Sequence, residues 1–314
     1  MSEPITVSYS ELDTFRQCPL KWWTLNVQKW SKPDQPGQGK TRGTLWHSVM
    51  QNHYESLRFN RGMPADELIP SATSAVFPVL NDDAGLQSED QELAEWMYDG
   101  YVQRWGTDPD WEIVDIEEKL VVPLPRPPNM PDSGREFLLK CKIDLGVIEH
   151  GFGKPAYWVV DSKSAKDTAR RGELELADQF GLYQWAKRQQ GVKAAGSLYN
   201  GARTQRNTAD WPDYAGKLKP QTLEQRFVRE RMHRTPLELT RLAADAWITA
   251  DEAYGMLERR RSADIPVYSS PDPSVCKWKC DMKEVHLLMR KHQKVNLPVL
   301  LKDFGFTNYG EPKA

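Results

Sequence analysis

Residues 157–166 read YWVVDSKSAK, in which four residues of buried-strand character run directly into an Asp, a Ser and a Lys. Side chains alternate along a strand, so Asp161 and Lys163 leave on one side and Ser162 on the other. An isolated D-x-K is ordinarily a solvated strand end carrying a surface ion pair. Its surroundings decide whether this one is more.

Just upstream, FLLKCKIDLGVIEH (137–150) is a second strand candidate, and GFGKP (151–155) supplies the turn chemistry that would join the two as a hairpin. Parity groups Asp144 with Lys140 and Lys142, and Cys141 with Leu139 and Ile143, so Cys141 is read as a core residue. If the strands pair, Asp144 and Asp161 approach each other. Two neighbouring carboxylates repel unless a cation or a proton lies between them. Mg²⁺ or Mn²⁺ meets that need, and such an ion also neutralises phosphate charge and acidifies bound water.

Outward from this hairpin, helical and extended patterns alternate. SYSELDTFRQCPLKWW opens a helix with Ser10 as N-cap and Asp13 three residues on, and Pro19 marks a break. QPGQGKTR (35–42) reads as a loop, and GTLWHSVMQNHYESLRF then has helical spacing, with His47 inside it. A further helix runs from about Glu89 to Trp105, and PLPRPPNMPDSG ends all periodicity. Beyond the hairpin, Glu173 to Gln190 reads as helix, GSLYNGART as strand, RNTADWPDYAGKLKP as an exposed excursion, and EQRFVRERM as either strand or helix. TPLELTRLAADAWITADEAYGMLERRR is a helix capped by Thr235, with Pro236 at its first position and Glu238 closing a capping box. SSPDPSVCKWKCDMKEVH after it is a Pro-rich loop leading to paired cysteines. The fold class is therefore α/β: a central mixed sheet flanked by helices, with a helical elaboration.

Taken in order, Gly43-x-x-x-His47, Asp144, Asp161-Ser162-Lys163 and Gln179-x-x-x-Tyr183 resemble the PD-(D/E)xK nuclease superfamily, and in particular its RecB-like exonuclease branch. The resemblance implies a restriction-endonuclease-like core in one domain over residues 1–314 and a divalent ion held by His47, Asp144, Asp161 and the Ser162 carbonyl. It further implies that Lys163 orients or deprotonates water, that Gln179 and Tyr183 position the strand from one helix face, and that the products carry 5′-phosphates. His53 is six residues from His47, not four, so no zinc-protease pair is present and His53 receives no role.

The cysteines extend the resemblance. Cys18-Pro19 near one end and Cys276-x-x-x-Cys280 near the other are similar to the set enclosing an iron-sulfur cluster in AddB-type and CRISPR-associated RecB-like nucleases. Where a C-x5-C spacing would put the last cysteine, this chain has His286, so a Cys3His set for [4Fe-4S], or alternatively Zn²⁺, is implied. Such a site would join residues 1–30 to 265–295 as a structural staple.

Composition is compatible with this reading. The chain has 314 residues, a net charge of -2 and four cysteines, which points to an ordinary globular protein and not to a disulfide scaffold. No apolar run is long enough to span a bilayer and the N-terminus lacks a secretory layout, so a cytoplasmic location is expected, in the host cell if the gene is phage-borne. With no overall positive charge, DNA must be met by local patches: Arg226, Arg229, Arg231 and Arg234; Arg259 to Arg261; or Lys277, Lys279 and Lys283. Trp22, Trp23 and Trp278 lie beside basic residues as candidate stacking platforms. The expected role is a DNA exonuclease of recombination, repair or phage DNA processing, working with a helicase or recombinase. Its rivals are a CRISPR-adaptation trimming nuclease and a DNA-binding scaffold on a dead nuclease fold.

Overall fold

Alternation decides the central hairpin. The computed structural model describes residues 3–33, 39–80, 88–151, 153–206, 220–261, 263, 265, 267–269, 274, 276, 280–291 and 296–310. Strands β4 (Phe137–Glu149) and β5 (Ala156–Ala165) form as the sequence predicts, and they pair antiparallel with Leu145 opposite Val160 and Val147 opposite Trp158. Cys141 is buried, as parity requires.

The chain divides into two compact units. The larger, residues 34–120 and 141–240, contains the hairpin. Here β5 pairs in parallel with β6 (Ala194–Arg203), and β6 pairs antiparallel with β7 (Phe227–Met232). Strand β3 (Trp111–Leu124) pairs with β4. The result is a mixed sheet flanked by helices. Helix α3 (Gly39–Phe59) packs on β5, with α4 (Ala65–Leu80) and α5 (Ser88–Trp105) against α3. One apolar core joins Trp46, Val49 and Tyr54 of α3 and Tyr98 and Tyr101 of α5 to Val147, Trp158, Val160 and Leu198 of the sheet. Removing one such large buried side chain typically costs about 3–5 kcal/mol. Helix α7 (Asp178–Gln189) packs on β5 and β6, where Phe180, Tyr199 and Met232 form a smaller cluster with Leu174.

In the smaller unit, residues 1–33, 121–140 and 241–314, β1 (Ile5–Ser8) pairs in parallel with Phe137–Lys140 of β4. Helices α1 (Tyr9–Gln17) and α2 (Pro19–Trp22) enclose Trp22, whose indole donates to buried Glu11 at 3.3 Å. Helix α9 (Pro236–Arg259) has the predicted capping box: Glu238 N–H donates to Thr235 Oγ1 and Thr235 N–H to Glu238 Oε2. No helix among the described residues is long and apolar enough to cross a membrane.

Several expectations need correction. The N-cap of α1 is Ser8, whose hydroxyl accepts from Glu11 N–H, because Ser10 is already inside the helix. Helix α3 starts at Gly39, so its first turn takes up part of the expected loop. The single helix expected over 173–190 is α6 (Arg171–Glu175) followed by α7. EQRFVRERM is both alternatives in sequence, a short helix α8 (Leu223–Arg226) and then β7. Strand β3 and helix α4 were not foreseen; α4 contains Pro70 and Pro78, residues that normally argue against a helix interior. Most of RNTADWPDYAGKLKP and much of the segment before Cys280 lie outside the described residues.

His53, which received no role, is fully buried among aromatic rings. Its Nδ1 lies 3.0 Å from Tyr98 OH, and its Nε2 is buried without a partner. Burial lowers its pKa from 6.5 to about 4, outweighing the Asp108 charge. The unfolded chain therefore takes up this proton first as pH falls. The His53 contribution is fully present above pH 6.5 and diminishes towards pH 4, a change of about 3 kcal/mol. Urea unfolding followed from neutral pH down through this window should show a steeper loss of stability in the native chain than in His53→Gln. Equal slopes would remove His53 from the acid response.

Candidate active site

The β4–β5 register that places Leu145 opposite Val160 makes Asp144 and Asp161 the next residues on their strands. Asp144 Oδ2 accepts a hydrogen bond from Ser162 N–H at 2.9 Å and lies 3.2 Å from His47 Nδ1. Asp161 is 1% exposed. Its Oδ1 accepts from Lys163 Nζ at 2.9 Å and from Gln179 Nε2 at 3.3 Å. Its Oδ2 lies 2.8 Å from the same ammonium, so the carboxylate is ion-paired to Lys163 through both oxygens.

The two acids respond to this setting in opposite directions. Burial opposes ionisation of Asp144, but His47, the Lys163 charge and the Ser162 N–H together hold its pKa below the ordinary carboxylate value. Burial dominates at Asp161 and, with the Asp144 charge, raises its pKa despite Lys163. At Lys163 burial is outweighed by the two carboxylates, so its pKa rises and it stays an ammonium. The site has more negative charge than the protein alone balances comfortably.

A third acid was missed from the sequence. Glu117 of β3 converges with His47 and Asp144, and one ligand atom from each lies within 4.8 Å of the others. Ligand atoms around one octahedral Mg²⁺ or Mn²⁺ are about 3 Å apart when adjacent and about 4.2 Å when opposite. These three donors thus fit a hard divalent ion, whereas Asp161, expected to share it, is not among the ligand atoms that converge within that distance. Glu117 has a positive φ of 52°, an uncommon conformation for a residue with a side chain, and it pairs with Lys142. The available signal was a strand of β-branched character, WEIVDIEEKLVV, interrupted by acids.

Helix α7 carries the other expected residues. Gln179 Nε2 donates to Tyr183 OH at 2.9 Å as well as to Asp161. The helix is anchored at Lys187, 3% exposed, whose ammonium is 3.0 Å from Asp115 and 2.7 Å from Glu118 of β3. It is also fixed by Ser197, which donates to the Phe180 carbonyl and accepts from Gln184. Beside Lys163 opens a groove of about 790 Å³ lined by Thr168, Arg170, Tyr199 and Arg203 among others.

The sequence placed other groups less well. Trp22 and Trp23 are buried and cannot stack on bases; Trp278, Lys277 and Lys279 lie outside the described residues. Of the arginines 226 to 234, Arg226 is buried on the Trp96 ring at 3.6 Å and Arg229 is interior, which leaves Arg231 and Arg234 as the accessible members of the run. In the smaller unit, Cys18 is buried and Cys276 and Cys280 are half-buried. Burial raises the Cys280 pKa, and the thiols of Cys276 and Cys18 add to that rise. Among the described residues these three sulfurs do not form a set within 4.8 Å of one another. His286, on α10 (Lys283–Lys291), has its pKa lowered by burial and by Arg290.

A family model described as the PD-(D/E)XK nuclease superfamily matches residues 6–285. No curated protein matches the chain. Solved structures that match include a candidate exonuclease from Eubacterium rectale, at 12% identity over 92% of this chain and 94% of that one, with a TM-score of 0.47. Another is the protein designated SSO0001, at 12% identity over 79% and 78% of the respective chains, with a TM-score of 0.30.

Calorimetric titration with Mn²⁺ tests the donor set. Asp144→Asn should abolish measurable binding, and Glu117→Gln should weaken it on the order of tenfold. Unchanged affinity in Glu117→Gln would leave that carboxylate outside the ion's shell.

Proposed function

Because the chain belongs to the PD-(D/E)XK nuclease superfamily, we propose that it is a divalent-metal-dependent DNA exonuclease of the RecB-like branch. Its setting is recombination, repair or phage DNA processing in the cytoplasm, with a helicase or recombinase as partner. The observation that carries this reading is the convergence of His47, Glu117 and Asp144 close to a buried Asp161 paired with the partly exposed Lys163.

In this reading His47, Glu117, Asp144, Asp161 and the Ser162 carbonyl hold Mg²⁺ or Mn²⁺. The bound ion supplies Lewis-acid neutralisation of the phosphate and acidification of water. Lys163, held by Asp161, presents its ammonium to the attacking water and to the charge that grows on the phosphate. As an ammonium it is a donor and not the base. Gln179 fixes Asp161 from the side and orients the Tyr183 hydroxyl, and that pair lines up the strand for in-line attack. The bond to the 3′-oxygen breaks, leaving a 5′-phosphate on the released nucleotide. The groove beside Lys163, with Arg170 and Arg203 in its lining, offers cations to the adjoining backbone phosphates.

End-labelled and internally labelled DNA incubated with Mg²⁺ or Mn²⁺ is the direct test. The native chain should release 5′-phosphorylated nucleotides from ends, and Lys163→Ala should cut roughly a hundredfold to a thousandfold more slowly. A native chain that binds DNA without cutting it would be the scaffold, and undiminished cutting by Lys163→Ala would remove the proposed mechanism.

We also propose that Cys18, Cys276 and Cys280, with His286 as fourth donor, hold a [4Fe-4S] cluster. Cys276 and Cys18 lie near enough to Cys280 to act on its thiol, which supports a shared site. Cys18, Cys276, Cys280 and His286 would supply the three thiolates and one imidazole by which such a cluster would be held as a structural staple. Protein purified without oxygen should be brown, with broad visible absorption that Cys280→Ser diminishes. A colourless preparation with one zinc per chain would replace the cluster by a zinc site.

A further inference from the structure

Hydrolysis as described leaves one large group of polar side chains in the same unit unused. Ser162, Asn200 and Arg229 are successive neighbours across β5, β6 and β7 in the sheet register. Arg229 Nη1 and Nη2 grip Asp108 at 2.5 and 2.9 Å, Nη2 reaches Tyr101 OH at 2.9 Å, and Nε donates to Asn200 Oδ1 at 3.2 Å. Its guanidinium lies 3.9 Å from the Trp105 ring and 4.0 Å from the Trp111 ring. Tyr54 joins Tyr101 at 2.6 Å and Asp108 at 2.9 Å. Asn200 and Asp108 are both buried.

This arrangement dictates the orientation of one amide. Asn200 uses both N–H bonds of its side chain, to Tyr101 OH at 2.9 Å and to Ser162 Oγ at 3.2 Å, while its oxygen accepts from Arg229. A flipped amide would face its NH₂ to a guanidinium that only donates, so Arg229 locks it. Ser162 is thus held by its hydroxyl, and the same residue's N–H holds the Asp144 carboxylate at 2.9 Å. The path from Arg229 to Asp144 is continuous through hydrogen bonds and one residue's backbone.

Resting on the nuclease reading above, we propose that Asn200, locked by Arg229, is a positioning residue for the divalent-ion site. It acts through Ser162, whose N–H orients Asp144. Loss of the clamp leaves every donor of the ion in place but no longer fixed, so affinity falls while the chain stays folded.

Electron paramagnetic resonance titration reads free Mn²⁺ directly and needs no turnover. Asn200→Leu, similar in size and unable to hydrogen-bond, should weaken Mn²⁺ binding on the order of tenfold. Ser162→Ala, which removes only the hydroxyl, should do the same and stands in if the Leu variant fails to fold. The double variant should bind no worse than either single one, because both cut the same link. Tyr98→Phe, which breaks the distant contact with His53, should lower Tm and leave Mn²⁺ affinity unchanged. Native affinity in both Asn200→Leu and Ser162→Ala, or losses that multiply in the double variant, would overturn the clamp. If the native protein neither binds Mn²⁺ nor cuts DNA, the nuclease reading fails and the clamp with it; if it does both and the variants match it, only the clamp fails.

Discussion

Everything in the larger unit answers to the repulsion between two acids at adjoining strand positions. Antiparallel pairing of β4 and β5 brings Asp144 and Asp161 together, close enough for the Asp144 charge to raise the Asp161 pKa. The protein offsets part of the charge with His47, Lys163 and a backbone N–H. Glu117, itself paired with Lys142, brings a third carboxylate beside His47 and Asp144. That set of His47, Glu117 and Asp144 could hold a metal ion.

Two further charged groups show how the surrounding scaffold is kept rigid. Lys187 is buried with Asp115 and Glu118, and Arg229 is buried with Asp108 between two indoles. Replacing such ion pairs by packed hydrocarbon is often neutral or stabilising, whereas removing one partner typically costs about 3–5 kcal/mol. Their contribution is therefore geometric specificity. The first fixes the helix that bears Gln179 and Tyr183, and the second fixes the amide behind Ser162. Both stand behind the site without touching its donors.

Much of this was legible in the sequence, for identifiable reasons. The two strands of the hairpin and the helix opened by Thr235 follow from local rules of alternation and capping, and the structure has all three. The family resemblance rested on short spacings, G-x-x-x-H, D-x-K and Q-x-x-x-Y, each within one element, and His47, Asp144, Ser162, Asp161, Lys163, Gln179 and Tyr183 do form one connected set. What escaped depends on contacts distant in sequence or on broken local rules. Glu117 sits where a positive φ interrupts β3, so parity could not assign it to the site. The run of arginines from 226 to 234 looked like a solvated face, but a guanidinium can be interior when aromatic rings and a carboxylate enclose it, and sequence spacing does not reveal those partners. The prolines of α4 hid a helix that tertiary packing sustains.

Arg229 also has a place in time. A ribosome delivers Asp161 and Lys163 well before the strand that bears this arginine, and the 66 positions from Lys163 to Arg229 take roughly 3 to 13 s to translate at about 5–20 residues per second. During that interval the emerging polypeptide has its acids but not the last piece of the frame behind them. The hydrogen-bonded frame behind Ser162 is therefore complete only once Arg229 has been made.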